Sequence, residues 1–323
     1  MKTTFARLIM LIKPMMLFVF ILTITFVFIS CRGDASDPDP VDAPPEKTGS
    51  AVVPSADPMY ARHSIKDAEL IGELVLGDAE DEIGSDADNE NGPESFAVIG
   101  DEVFILDSVK SRVVVKRETE LRSFTLSDCI YPYHMAVSED AIYVFDSGSG
   151  RSELLIYDKQ GRINGALPFP SGVKTEEIKS IYFIGGKLRL LTHKADQYSF
   201  NEEWALDYHC DTSGDFKADK VFSINGRDIS FKMEADSSVG LVRIDDKYLY
   251  VNAYVFAAET PQIESESVFC KYDLNGNLVG STSMEMNEVD HFSADPFFIT
   301  DSGEVYIMQC VAGKVIITKP DLG

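Results

Sequence analysis

The sequence predicts an all-β fold: a β-propeller of four-stranded blades, five countable with room for a sixth, closed by an N-terminal strand in the last blade. Three observations predict it. Two stretches align without gaps at one constant offset, Pro93 with Pro132, Ala97-Val98 with Ala136-Val137, Asp107-Ser108 with Asp146-Ser147 and Arg112 with Arg151. A period of about 40 residues marks a repeat architecture. Each unit alternates short apolar runs with turn chemistry, four runs to a unit, which is the make-up of a propeller blade. After the N-terminal leader no helical periodicity of any length appears.

The leader comes first along the chain. Lys2, Arg7 and Lys13 precede an apolar run from Pro14 to Ile29, so residues 1–30 have the form of a secretory signal. Phe28-Ile29-Ser30-Cys31 resembles the bacterial lipobox, although Phe28 stands where leucine is usual. That resemblance implies cleavage before Cys31 and a lipid on it. The chain is then exported and held at a bacterial membrane or in the cell envelope. Two rivals remain: an uncleaved anchor, since the run from Pro14 to Cys31 is barely long enough to span a bilayer, and a soluble secreted protein cut elsewhere. Residues 31–62 are rich in Asp, Pro, Ala and Ser and poor in large apolar side chains. Such a segment cannot bury enough to order itself and reads as a disordered tether. The Arg32-Gly33-Asp34 tripeptide, beside the cysteine, reads as a chance match to an adhesion motif.

Residues 63–323 read as the propeller. Ala68 to Leu76 is a strand-like run with no unit of its own, and it is assigned to the last blade, where it would remove the exposed edges of an open ring. An acidic loop follows at 78–91. Asp86, Asp88 and Glu90 alternate as calcium ligands would, but the sixth and twelfth places of an EF-hand loop fall on Asn91 and Ala97, so that motif fails and Ca2+ is only a weak cofactor expectation. In the first unit the runs are Phe96–Val98, Val103–Leu106, Val113–Val115 and Leu121–Leu126. The second repeats them. Later units open at Ile181–Ile184, Val239–Val242 and Phe297–Ile299, and residues 195–238 are long enough to hide one more.

Over residues 92–168 the pattern of Phe-Ala-Val, then Asp-Ser and Arg five places after the Asp, then Tyr-Asp-x-x-Gly resembles the NHL-type repeat of six-bladed propellers, a class with many bacterial lipoproteins. The resemblance implies structural ion pairs between Asp107 and Arg112 and between Asp146 and Arg151. Later units lack that Asp–Arg stretch.

Composition narrows the functions. The formal net charge is -24, which argues against nucleic acid and against a polybasic grip on lipid. Cys129, Cys210, Cys270 and Cys310 show no CxxC spacing, so zinc is not expected. They read as buried free thiols rather than bridges. Of the five histidines, His63, His134, His193, His209 and His291, none stands in a metal spacing. His134 opens the second unit, where strand starts approach the channel, and reads as packed or exposed rather than as a ligand. There is no GxSxG elbow, P-loop or GxGxxG motif. No catalytic, cofactor or metal residue is therefore nominated, and Cys31 is the one expected modification site. The leading expectation is a membrane-tethered binding module for a protein, peptide or glycan. The runner-up is a metal-dependent lactonase- or lyase-like propeller enzyme, and the third a scaffold.

Overall fold

The computed structural model describes residues 68–86, 91–193, 197–199, 208–211, 220–224, 227–231, 238–259, 262–286 and 289–322. The leader, Cys31, the 31–62 tether, His63, Asp88 and Glu90 lie outside the described residues.

Strand β1 (Glu69–Val75) comes first. Sheet A holds β2 (Pro93–Ile99), β3 (Glu102–Asp107), β4 (Arg112–Arg117) and β5 (Glu120–Thr125). Sheet B holds β6 (Pro132–Val137), β7 (Ile142–Asp146), β8 (Glu153–Tyr157) and β9 (Ile163–Pro168). Sheet C holds β10 (Ile178–Ile184), β11 (Lys187–Thr192) and β12 (Gln197–Ser199). Sheet D holds β13 (Tyr208–Asp211), β14 (Lys220–Ile224) and β15 (Arg227–Phe231). Sheet E holds β16 (Ser238–Ile244), β17 (Tyr248–Glu259), β18 (Gln262–Asp273) and β19 (Leu278–Glu285). Sheet F holds β20 (Val289–His291), β21 (Phe297–Ile299), β22 (Val305–Val311) and β23 (Lys314–Lys319), with β1 added at its edge. Each strand pairs antiparallel with its neighbours in the sheet, in the meandering order of propeller blades.

The apolar runs are continuous because the sheets are covered on both faces. Along β3, Val103 and Ile105 enter one core, with Met308, Val315 and Ile317 of sheet F. Phe104 and Leu106 enter another, with Met135 and Val144 of sheet B. Successive side chains point to opposite faces of a strand, so a sheet held between two neighbours needs an apolar residue at every place. The same logic joins Phe145 and Leu154 of sheet B to Ile181 and Leu190 of sheet C. It joins Leu191 of sheet C to Leu241 and Val251 of sheet E, and Tyr250 and Phe269 of sheet E to Ile299 and Ile307 of sheet F. Each such fully buried side chain contributes about 1.5–3 kcal/mol. The outer strands β5 and β9 are mostly exposed; β5 is largely polar, whereas β9 carries Asn164 as its one polar side chain.

Strand β1 pairs with β23 from Glu69 opposite Lys319 to Val75 opposite Lys314, so the N-terminal run does close the last sheet. The turns between outer strands recur too. Asp158 Oδ1 accepts from the backbone of Gln160 and Arg162 at 2.9 Å. Asp273 Oδ1 accepts from Asn275 at 2.9 Å and Asn277 at 2.8 Å. Gly161 and Gly276, at φ 81 and 87, take the left-handed place in these turns.

The two expected Asp–Arg pairs part company. Arg112 Nε donates to Asp107 Oδ2 at 2.8 Å, and Asp107 is fully buried. Arg112 also donates to the carbonyls of Glu80 and Glu82, while Lys110 Nζ reaches those of Ala79 and Glu82. The described start of the acidic loop is thus held through its backbone carbonyls. In sheet B the expected pair is replaced. Asp146 accepts from the backbone amides of Ile130 at 3.0 Å, Tyr131 at 2.7 Å and Gly148 at 3.2 Å, and Arg151 is exposed. Three amides already satisfy the Asp146 carboxylate. Among the described residues, Cys129, Cys270 and Cys310 are free thiols. Burial pushes them up to about 11, 12 and 12.

This contrast yields a prediction. Arg112→Met should lower unfolding stability by about 3 kcal/mol by leaving a buried carboxylate unpaired. Arg151→Met should change it by less than about 0.5 kcal/mol. Urea melts of the two variants side by side decide it, and equal losses would refute the assignment.

Candidate functional site

Strands β2, β6, β10, β16 and β21 wall a central cavity of about 620 Å3. They start at one mouth. There, β2, β6 and β10 each carry a bulge one place into the strand, at Glu94, Tyr133 and Lys179. A bulge turns one side chain out of the alternating pattern. At the mouth this puts polar groups where the pleat alone would place apolar ones.

Glu94 is 4% exposed. Its Oε2 accepts from the Ala294 amide at 2.9 Å, and its Oε1 lies 3.1 Å from the Tyr131 hydroxyl and 3.7 Å from His291 Nε2. Burial pushes the Glu94 carboxyl up, opposed by His291, the Ala294 amide and Tyr131. Gly92 lets His291 come this close, because a Cβ there would sit 2.7 Å from the ring. Asp295 extends the cluster. Its backbone N–H donates to Glu94 O at 2.8 Å, and its Oδ2 accepts from His134 Nδ1 at 2.6 Å. Ser293 Oγ donates to Pro93 O at 2.6 Å. The segment 291–296 of sheet F is thus strapped across the starts of sheets A and B.

His134 is 1% exposed and stacks on Phe145 at 5.7 Å between centroids. It stands at the mouth as a packed residue, in line with the sequence expectation. His193 lies exposed nearby; partial burial and the neighbouring Lys179 and His134 push it down. His209 belongs to β13. Among the described residues no group of three or more His, Cys, Asp or Glu is gathered to hold a metal ion.

Along the channel, side chains also tie neighbouring sheets. Lys179 Nζ donates to Leu241 O, from sheet C to sheet E, and Arg243 Nη1 donates to Ile299 O, from sheet E to sheet F. Gly240 leaves the space that Lys179 crosses: a Cβ there would lie 3.0 Å from its Nζ. Sequence reasoning passed over Glu94, Lys179, Arg243, His291 and Asp295 as site residues. The one signal present was the repeat, which aligns Glu94 with Tyr133 just after the opening prolines.

No protein-family model and no curated protein matches the chain. Solved structures to which the chain is similar include the following three. Hydrazine synthase from Kuenenia stuttgartiensis is 13% identical, with 72% of this chain and 77% of that one covered and a TM-score of 0.40. The WD40 β-propeller domain of Doa1 is 9% identical, with 78% and 97% covered and a TM-score of 0.41. BamB from Moraxella catarrhalis is 7% identical, with 78% and 99% covered and a TM-score of 0.35.

The strap predicts its own test. Asp295→Ala should cost about 2 kcal/mol of unfolding free energy, because it leaves the buried His134 Nδ1–H without an acceptor. Asp295→Asn keeps an acceptor oxygen and should recover more than half. If both variants lose equally in urea melts, the hydrogen bond is not what holds the segment.

Proposed function

We propose that the chain is a lipid-tethered, extracytoplasmic β-propeller of NHL-like type, working as a binding module for a protein, peptide or glycan. The observation that carries the binding reading is the central cavity of about 620 Å3, shared by strands of five sheets and within the size range of ligand pockets. Five blades are the preferred count. Their support is the set of five apolar cores that link A to B, B to C, C to E, E to F and F back to A. Sheet D is then an addition rather than a sixth blade.

The tether reading rests on the leader and on Cys31. The metal-dependent lactonase- or lyase-like reading is less favoured, because the polar groups near the channel serve the fold: Asp295 with His134, and Arg243 with Ile299 O and Asp301.

Two measurements test this. Expressed in a bacterial host, the full chain should partition into the detergent phase of Triton X-114, and Cys31→Ser should move it to the aqueous phase. A Cys31→Ser protein that stays with detergent would mean an uncleaved anchor instead. The melting temperature should shift by less than about 1 °C between calcium and chelator, since a ligand that binds the folded state raises it by mass action. A rise of several degrees with calcium would favour the enzyme reading.

A further inference from the structure

Strands β17 and β18 outrun the rest of sheet E. The last residue of β18 with a partner in β19 is Glu266, opposite Glu285. Past that point β17 and β18 go on pairing with each other, Phe256 with Ser265, Ala257 with Glu264, Ala258 with Ile263 and Glu259 with Gln262. The chain after β19 does not follow them: it continues as β20, which pairs with β22 of sheet F. Among the described residues, residues 262–265 therefore have no strand on their outer side. Alternate residues of a strand turn their N–H and C=O to opposite sides, so half of this edge offers its backbone outward. A two-stranded ribbon is marginally stable in water and gains from a third strand. Edges that stay empty are blunted with Lys, Pro or a bulge. Residues 262–265 carry no Lys and no Pro, and their register is unbroken.

An apolar pit adjoins the place where β19 stops. Ser267, Met284, Met286, Phe292 and Phe297 line a hollow of about 40 Å3, room for the tip of one apolar side chain. Phe292 is 61% exposed and Met286 is half-buried, so the rim is uncovered. A strand added in line with β19 would run beside it. Charge selects the occupant. Over residues 248–313 the one Lys is Lys271, which pairs with Tyr250 and Gly280 inside sheet E, and there is no Arg. The same stretch carries Glu259, Glu264, Glu266, Glu285 and Asp290. A second copy of this chain would set like charges face to face, which disfavours association, whereas a basic segment is attracted.

We propose that the edge at residues 262–265 takes up an extended, basic segment of a partner protein as an added strand in line with β19. Backbone hydrogen bonds to β18 hold the segment, and pockets for alternate side chains select it: Lys or Arg on one face, and on the other an apolar side chain that enters the pit beside Met284 and Phe292. The proposal does not depend on the central cavity.

A labelled octapeptide of alternating Lys and Val is the probe, read by fluorescence anisotropy against the folded full chain. It should saturate one site. The same peptide with a central Pro keeps its charge but loses a backbone donor, and should bind at least about tenfold more weakly. An alternating Glu-Val octapeptide should not bind. Replacing residues 256–265 by Asn-Gly, which closes the hairpin between Val255 and its partner Glu266, should weaken the Lys-Val peptide by about tenfold or more. Phe292→Ser, at an exposed place, should weaken it several-fold if the shortened hairpin folds poorly. Equal binding of the two basic peptides, or undiminished binding by either folded variant, would mean adsorption to an acidic surface and overturn the proposal. So would the absence of saturable binding. A chain that sediments as a dimer, and as a monomer once the hairpin is shortened, would make a second copy the occupant and overturn the basic partner.

Discussion

A sheet that is apolar on both faces is stable only between two neighbours. That constraint governs the domain. Val103 and Ile105 face sheet F while Phe104 and Leu106 face sheet B, so neither half of β3 is satisfied until both neighbours are present. Applied around the chain, the same demand links five cores back to the first. It also accounts for the exposure of the outer strands β5 and β9, which have water rather than a neighbour to meet.

Packing of this kind leaves the inner strands close around an axis, where polar backbone and side-chain groups meet. The protein resolves this with bulges and ties. Glu94 and Lys179 are displaced from the pleat at the strand starts and spend their charge on the next element: Glu94 on the 291–296 strap, Lys179 on the Leu241 carbonyl. Arg243 does the same one sheet further on. Lys179 and Arg243 share the cavity lining with four carboxylates, those of Glu139, Asp140, Asp295 and Asp301.

Much of the fold was legible because it is local. The repeat period forecast sheets A and B, the alternation of runs and turns forecast their strands, and the orphan run at 68–76 forecast the closure with β23. The Asp-to-Arg spacing was legible as a motif but not as two outcomes. Arg112 becomes buried with an upstream loop offering it the Glu82 carbonyl, whereas the Asp146 carboxylate is taken by backbone amides and Arg151 stays exposed. The channel site was not legible for a related reason. His134 meets Asp295, and Glu94 meets Ala294, across more than half the length of the domain. No spacing rule reaches that far, and a single histidine carries no mark of the carboxylate it will find.

The pairing of β1 with β23 has a kinetic side. Strand β1 is made early, and the strand that covers it is the last of the chain. Closing so long a loop is slow compared with forming the hairpins of sheets A and B. During that interval β1 and the unfinished sheets present unpaired edges, the surfaces on which extended chains associate wrongly. The acidic loop that Lys110 and Arg112 pin beside β1 offers charge repulsion at that edge, so a chain with that loop neutralised would be expected to lose yield to aggregation before losing stability.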